Sequence, residues 1–367
     1  MTEVIRVAPD APDPTALARA AECLRRGGLV AFPTETVYGL GVNALDRQAV
    51  RRLFAAKERP PHDPLIVHVT SIDAIAALAA RVPAQAENLA RRFWPGPLTL
   101  VVPKSRHVPD EVTAGLSTVA VRVPLHPVAR ALIEAAGVPV AAPSANLFSR
   151  PSPTQASHVI DDLDGRIDFV VDGGATTIGV ESTVLDLTSD PPTILRPGAV
   201  TVEMLREVLG RVDVSRGPGH RSATCEGGST SVDSASASPM PSPGMLEKHY
   251  SPRAALTLFE GNASAALSSL VDVARDELSR GRAVGIIAAE EHRGELTRLA
   301  SDPKLVLRVI GSQDAPAAVA TRLYATLREL DAAGADVILV HGFREDGLGA
   351  AVQDRLRRAA AGRVVRT

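Results

Sequence analysis

Four segments in the first 200 residues place hydroxyls and cations at the ends of apolar runs, which is where an α/β protein concentrates chemistry. GLVAFPTETVYGLG (28–41) runs from an apolar strand through Pro33 into Thr34, Glu35, Thr36 and Tyr38, with Gly39 and Gly41 free to let backbone approach a ligand. VPVAAPSAN (138–146) repeats the pattern, with Ser144 and Asn146 as donors and Ala141 and Ala142 leaving room. GVESTVLDL (179–187) offers Ser182 and Thr183, and TILRPG (193–198) sets Arg196 at a strand end. Each segment alone reads equally as turn chemistry. Together with the cations below, they describe a site for an anionic ligand of nucleotide size.

A fifth segment, STVAVRVP (117–124), places Arg122 among Val and Ala. An unpaired buried guanidinium costs several kcal/mol, so Arg122 meets an anion, such as a ligand carboxylate gripped by both arms of the fork, or lies at an edge. Lys57-Glu58-Arg59-Pro60 closes a helix, either complementing its dipole or forming a phosphate clamp. Four of the 40 basic residues are lysine, which draws attention to Lys57 and Lys248. His68, inside LIVHV, reads as a hydrogen-bonded core residue or a site residue. Asp161, Asp162, Asp164 and Asp168 fit an exposed turn better than a metal cluster. No helix carries H-x-x-x-H, so no protein-built metal site is expected. Neither a P-loop nor a G-x-G-x-x-G fingerprint is present, so a nucleotide site must be assembled from scattered loops.

The elements that would carry these residues alternate. Asp13-Pro14 starts a helix that ends at Gly27-Gly28, and strand 29–32 follows. Asp46 caps a second helix that Pro60-Pro61 stops. Strands are expected at 65–69, 98–102, 119–123, 138–142, 169–171, 184–187 and 193–195, with helices near 72–81, 84–93, 126–136 and 201–209. This is an α/β layer with a mixed sheet. Residues 212–247, rich in Ser, Gly, Pro and Ala, read as a flexible linker. From residue 255 strictly alternating strands (256–259, 283–288, 305–309, 336–340) and helices (264–280, 291–300, 315–332, 350–361) predict a smaller parallel, doubly wound unit.

Bulk properties narrow the function classes. Net charge of −2 and 3% aromatic residues argue against a strongly basic, base-stacking nucleic-acid binder. No apolar run reaches the length of a membrane span, and MTEVIRVAPD does not look like a secretion signal. With only Cys23 and Cys225, a disulfide framework is not expected, and a cytoplasmic location is the default.

FPTETVYGLG (32–41), AKERP (56–60), DPLIVHV (63–69), WPGPLTLV (94–101), GLSTVAVRVP (115–124), APSAN (142–146), RPSPT (150–154), GVESTVLDL (179–187) and ILRPG (194–198) resemble, in order and spacing, the YrdC-like family of threonylcarbamoyl-adenylate synthases. The likeness spans residues 15–210. PSPGM and KHYSP, followed by the second α/β unit, match the long two-domain form. The resemblance implies a catalytic domain over 1–210, a linker over 211–252 able to cover the site as a lid, and a Rossmann-like domain over 253–367. It implies a nucleotidyltransferase that joins L-threonine, bicarbonate or carbon dioxide, and ATP, releasing pyrophosphate. The product would feed a tRNA-modifying transferase. Carried over onto this chain, threonine contacts are Thr36, His68, Arg122, Ala142 and Ser182. ATP contacts are Arg59, Asp63, Thr118, Ser144, Ser152, Arg196 and Tyr250, with Lys57, Arg59 and Arg196 stabilising phosphate charge and magnesium arriving with ATP. Position 63 is Asp where the family often has Asn, which puts an anion beside ATP unless it holds magnesium or points away. The competing expectation is an RNA-binding module that uses the same basic cavity as a phosphate track.

Overall fold

A computed structural model describes residues 1–215, 239–246, 248–299 and 301–367, so most of the expected linker, with Cys225, lies outside the described residues. One mixed sheet is built from β1 (Glu3–Arg6), β2 (Val30–Pro33), β3 (Tyr38–Asn43), β4 (Ile66–His68), β5 (Leu98–Pro103), β6 (Thr118–Arg122), β7 (Val140–Ala141), β8 (Phe169–Asp172), β9 (Thr183–Asp186), β10 (Thr193–Arg196) and β11 (Asp213–Val214). Their order is β1-β8-β2-β3-β7-β4-β6-β5-β9-β10-β11. Strands distant in sequence are thereby interleaved, β4 lying parallel to β6 with His68 opposite Arg122. The helices around this sheet are α1 (Pro14–Arg25), α2 (Arg47–Lys57), α3 (Ala84–Phe93), α4 (Asp110–Thr113), α5 (Pro127–Ala136), α6 (Ala156–Leu163) and α7 (Val202–Leu209).

Local sequence explains the first two helices. Asp13 accepts from Thr15 N, Pro14 takes the first helical position, and Leu17, Ala20, Ala21 and Leu24 are buried. Asp46 accepts from Gln48 N and Ala49 N to start α2. That helix ends on Glu58 in the left-handed region, φ 55°, which turns the chain so that Arg59 points inward.

A second, all-parallel sheet has the order β14-β13-β15-β12-β16. Its strands are β12 (Ala255–Glu260), β13 (Val284–Ala288), β14 (Leu305–Val309), β15 (Val337–His341) and β16 (Val364–Arg366). The helices are α8 (Ala263–Ser279), α9 (Arg293–Leu296), α10 (Pro316–Ala332) and α11 (Gly349–Ala360). The two halves share a core. Val37, Val180 and Tyr250 pack in one apolar cluster with Leu323, Tyr324, Val352 and Leu356 from α10 and α11. Gly179, at φ 84°, lies under α10, where a Cβ would stand 2.4 Å from the Ala320 carbonyl oxygen. No helix among the described residues is long and apolar enough to cross a membrane.

The structure departs from the sequence reading in several places. Residues 38–43 are strand β3, paired antiparallel with β2. Gly41 is there for packing: a Cβ would sit 2.7 Å from the Phe32 ring and 2.8 Å from Val140. The helix expected at 72–81 shrinks to a 3-10 turn, Asp73–Ala77. That expected at 291–300 breaks into short pieces. Strands β1 and β16 were not anticipated, because EVIR and VVR are too short to show an alternation. Asp162 is buried, with its carboxylate 2.7 Å from Arg328 and 3.8 Å from Arg150, so it is an ion-pair residue and not part of an exposed turn.

Candidate active site

The strand ends converge on one cavity. Thr34, Thr36 and Gly39 line it from the β2–β3 hairpin, and Ile66 and His68 from β4. Arg122 comes from β6, Ala142, Pro143 and Ser144 from the loop after β7, and Glu181 and Ser182 from the approach to β9. Arg59 and Arg196 complete the wall, and Pro243, Gly244, His249 and Tyr250 close it. Thr36, Arg122, Ser144 and Arg196, distant in sequence, therefore face one hollow.

The anion that Arg122 requires is internal. Its Nη2 donates to Glu35 Oε1 at 2.6 Å, Nη1 to Thr36 Oγ1 at 3.1 Å and Nε to Gly96 O at 3.1 Å. Leu125 N donates to the other Glu35 oxygen at 3.1 Å. The fork is thus held against the hairpin, and it presents charge to the cavity already oriented. Beside it His68 is 3% exposed, and its Nδ1 has no hydrogen-bond partner. Burial, then Arg122, push the His68 pKa down to about 3, so the ring is neutral at physiological pH. A neutral imidazole with an open nitrogen suits a ligand that donates or accepts one proton.

Arg59 donates to Asp63 O and Pro64 O at 3.2 and 3.0 Å, and pairs with the Asp63 carboxylate at 2.8 Å. Asp63 is off the cavity wall, turned onto Arg59, so its charge meets that guanidinium and is not presented to the cavity. Burial raises its pKa, opposed by Arg59. Arg196 is held differently, by carbonyls. Nε and Nη2 donate to Ser182 O at 3.2 and 3.0 Å and Nη1 to Pro243 O at 3.1 Å. Ser182 Oγ meets Arg196 Nη2 at 3.2 Å and Thr99 Oγ1 at 2.8 Å.

Three expected contacts stand behind the wall. Lys57 is buried, and its Nζ donates to the carbonyls of Ser144, at 2.6 Å, and of Asn146. It therefore fastens the Ser144 loop and does not reach the cavity, and burial lowers its pKa well below the ordinary lysine value. Ser152 Oγ donates to Glu181 Oε1 at 2.5 Å. Thr118 begins β6 opposite Pro103 and is not on the wall.

Tyr250 sits in the left-handed region at φ 61°, 1% exposed, with its hydroxyl unpaired. Burial, then Glu181, raise that hydroxyl to about 12. Sequence reasoning singles out Glu35 but not its pairing with Arg122, and it misses Glu181 and His249. A lone Glu in a strand approach and a Glu in a hydroxyl loop carry no signal of their partners, which are remote in sequence.

Two family signatures cover the chain. One described as "Telomere recombination" matches residues 22–198, and one described as "Threonylcarbamoyl-AMP synthase, C-terminal domain" matches residues 200–361. The chain is 44% identical to a threonylcarbamoyl-AMP synthase of Pyrococcus abyssi, over 95% of this chain and 94% of that protein. It is 43% identical to one of Bacillus subtilis, again over 95% of this chain and 94% of that protein. The crystal structure of P. abyssi Sua5 complexed with L-threonine matches with a TM-score of 0.87 and 42% identity, covering 100% of both chains. The chain belongs to the Sua5/YrdC family, in the form that carries the Sua5 C-terminal domain.

Proposed function

We propose that this chain is an L-threonylcarbamoyladenylate synthase, a nucleotidyltransferase that converts L-threonine, bicarbonate or carbon dioxide, and ATP into threonylcarbamoyl-AMP and pyrophosphate. The observation that carries the reading is the cavity where Thr36, Arg122, Ser144 and Arg196 meet. The names of the P. abyssi and B. subtilis relatives, and the threonine bound in P. abyssi Sua5, support it.

Two ends of the cavity differ in chemistry. The Arg122–Thr36–His68 end offers a fixed guanidinium, a hydroxyl and a neutral imidazole, which suits the carboxylate, hydroxyl and amine of threonine. The Arg196–Ser182–Ser144 end offers a guanidinium with no carboxylate partner among the described residues, beside two hydroxyls, which suits phosphate oxygens. Threonine's amine, as the free base, adds to carbon dioxide and gives up a proton to water; an oxygen of the resulting carbamate attacks the α-phosphate of ATP and displaces pyrophosphate. Side chains form no covalent bond in this scheme. Catalysis rests on aligning the carbamate with the phosphate and on cations already aimed where charge gathers. Arg196 and Arg59 carry that charge, and Lys57 shapes the loop that presents Ser144. Magnesium enters as part of the substrate, bound to ATP phosphates and water. The carboxylates nearest the cavity are engaged by arginines, which fits a metal carried by the nucleotide and not by a protein cage. The product would pass to a tRNA-modifying transferase in the cytoplasm.

The test is pyrophosphate release with threonine, bicarbonate and ATP each omitted in turn. All three are expected to be required. Release that ignores threonine, or salt-dependent RNA binding without turnover, would overturn the reading in favour of the RNA-binding alternative.

A further inference from the structure

Glu181 is a carboxylate on the wall of a cavity that must accept a polyanion, and its neutralisation comes from the other half of the molecule. Arg355, on α11, is 0% exposed and donates from Nε to Glu181 Oε2 at 2.7 Å. Tyr324 O–H, on α10, lies 3.0 and 3.2 Å from the two Glu181 oxygens. The Arg355 fork also reaches Pro197 O at 3.0 Å and Asp354 at 2.6 Å. Pro197 immediately follows Arg196 in the chain, so α11 touches the site's phosphate end at two successive points.

Among the described residues, the arginines on the wall pair with carboxylates, with one exception. Arg59 is matched by Asp63 and Arg122 by Glu35, whereas Arg196 has only carbonyls and a hydroxyl. Glu181 is near enough to act on Arg196 electrostatically. Burial alone would raise the Glu181 carboxyl; Arg355 and then Arg196 hold it below its ordinary value. With Arg355 removed, Arg196 is the remaining cation able to compensate the buried carboxylate, and it would do so at the expense of a ligand. We propose that Arg355, assisted by Tyr324, is a positioning residue for the nucleotide: it takes up the charge of Glu181 and leaves Arg196 free for the anionic end of ATP. This assigns a role to the C-terminal half, and it rests on the synthase reading above.

ATP and threonine affinities of the full chain are measured by calorimetric titration for Arg355→Gln, Glu181→Gln, the double variant and Arg355→Lys, with folding checked by thermal unfolding. If the unaltered chain neither binds ATP nor releases pyrophosphate, the synthase reading fails before any variant is compared. Arg355→Gln is expected to weaken ATP by about tenfold or more and threonine by less than about twofold. The double variant, with the charge imbalance removed, should recover ATP affinity to within about threefold of the unaltered chain. Unchanged ATP affinity in Arg355→Gln, or a double variant as weak as the single one, overturns the proposal and leaves the pair a purely structural contact. Should Arg355→Gln not fold, Arg355→Lys decides. Keeping the charge, it is expected to hold ATP within about threefold, and a tenfold loss in the folded Lys variant refutes the charge role.

Discussion

The residues of this site work by being buried in particular charge states, and this makes the protein acid-sensitive. Burial, as the largest influence, lowers the pKa of His68 to about 3 and of His158 to about 4. His126 and His249 are lowered by the same cause. In the unfolded chain these rings protonate near pH 6.5. Below that pH the unfolded state binds protons that the folded state refuses, so stability falls as pH drops from about 6.5 toward the folded values. At pH 5 His68 alone would cost on the order of 2 kcal/mol. Denaturant midpoints at pH 7 and pH 5 should therefore differ clearly; coincident midpoints would contradict the burial of neutral histidines. Lys57→Met is expected to leave the Ser144 and Asn146 carbonyls unpaired, costing about 1–3 kcal/mol, and to weaken ATP through the displaced Ser144 loop. Calorimetry and ATP titration check both effects. At this scale the sequence was informative where a residue type conflicted with its neighbours. Arg122 among valines had to find an anion, although Glu35, and not only a ligand, supplies one. Lys57 also stood out, but its partners are backbone carbonyls about 90 residues away in the chain, which no local pattern records.

At the scale of elements, caps and punctuation were legible, and pairings were not. Asp13 and Asp46 cap helices through their side chains, as read from the sequence, and the structure adds Thr201 and Asn262 in the same role. The TETVYGLG run, packed with hydroxyls and glycines, reads from sequence as a loop. Its pairing as β3 depends on β2 and β7, which flank it on either side. The helix at 291–300 failed for lack of an amphipathic face long enough to sustain it, since only Leu296 of the α9 turn is buried. One helix end is open to improvement. Ala361 terminates α11 in the left-handed region at φ 48°, a conformation that costs a residue with a Cβ about 1 kcal/mol or more. Ala361→Gly should raise stability by up to about 1 kcal/mol in a denaturant titration, and a lower midpoint would show that the cap is not strained.

For the whole molecule, composition announced two α/β units but gave no sign of how closely they meet. The C-terminal helices close the apolar cluster around Tyr250 and supply the partners of Glu181. That closeness has a sensitive point at Gly179. Gly179→Ala would force a Cβ against the backbone of Ala320 and Thr321, both at 2.4 Å, in a conformation that L-residues avoid. It is expected to part the two halves, seen as a larger radius in small-angle scattering, faster proteolysis and turnover reduced by about tenfold or more. A compact and fully active Gly179→Ala would mean that this contact can be relaxed at no cost.

The interleaving of the large sheet also bears on how the chain is made. Strand β1 pairs in parallel with β8, from Glu3 opposite Phe169 to Arg6 opposite Asp172. A ribosome must translate through residue 172 before the first strand has its neighbour. At about 5–20 residues per second, that leaves the amino terminus waiting for roughly ten to thirty seconds. During that interval the nascent edge is open to chaperones or to other chains, so the amino-terminal half of the sheet must be finished after much of it has left the exit tunnel.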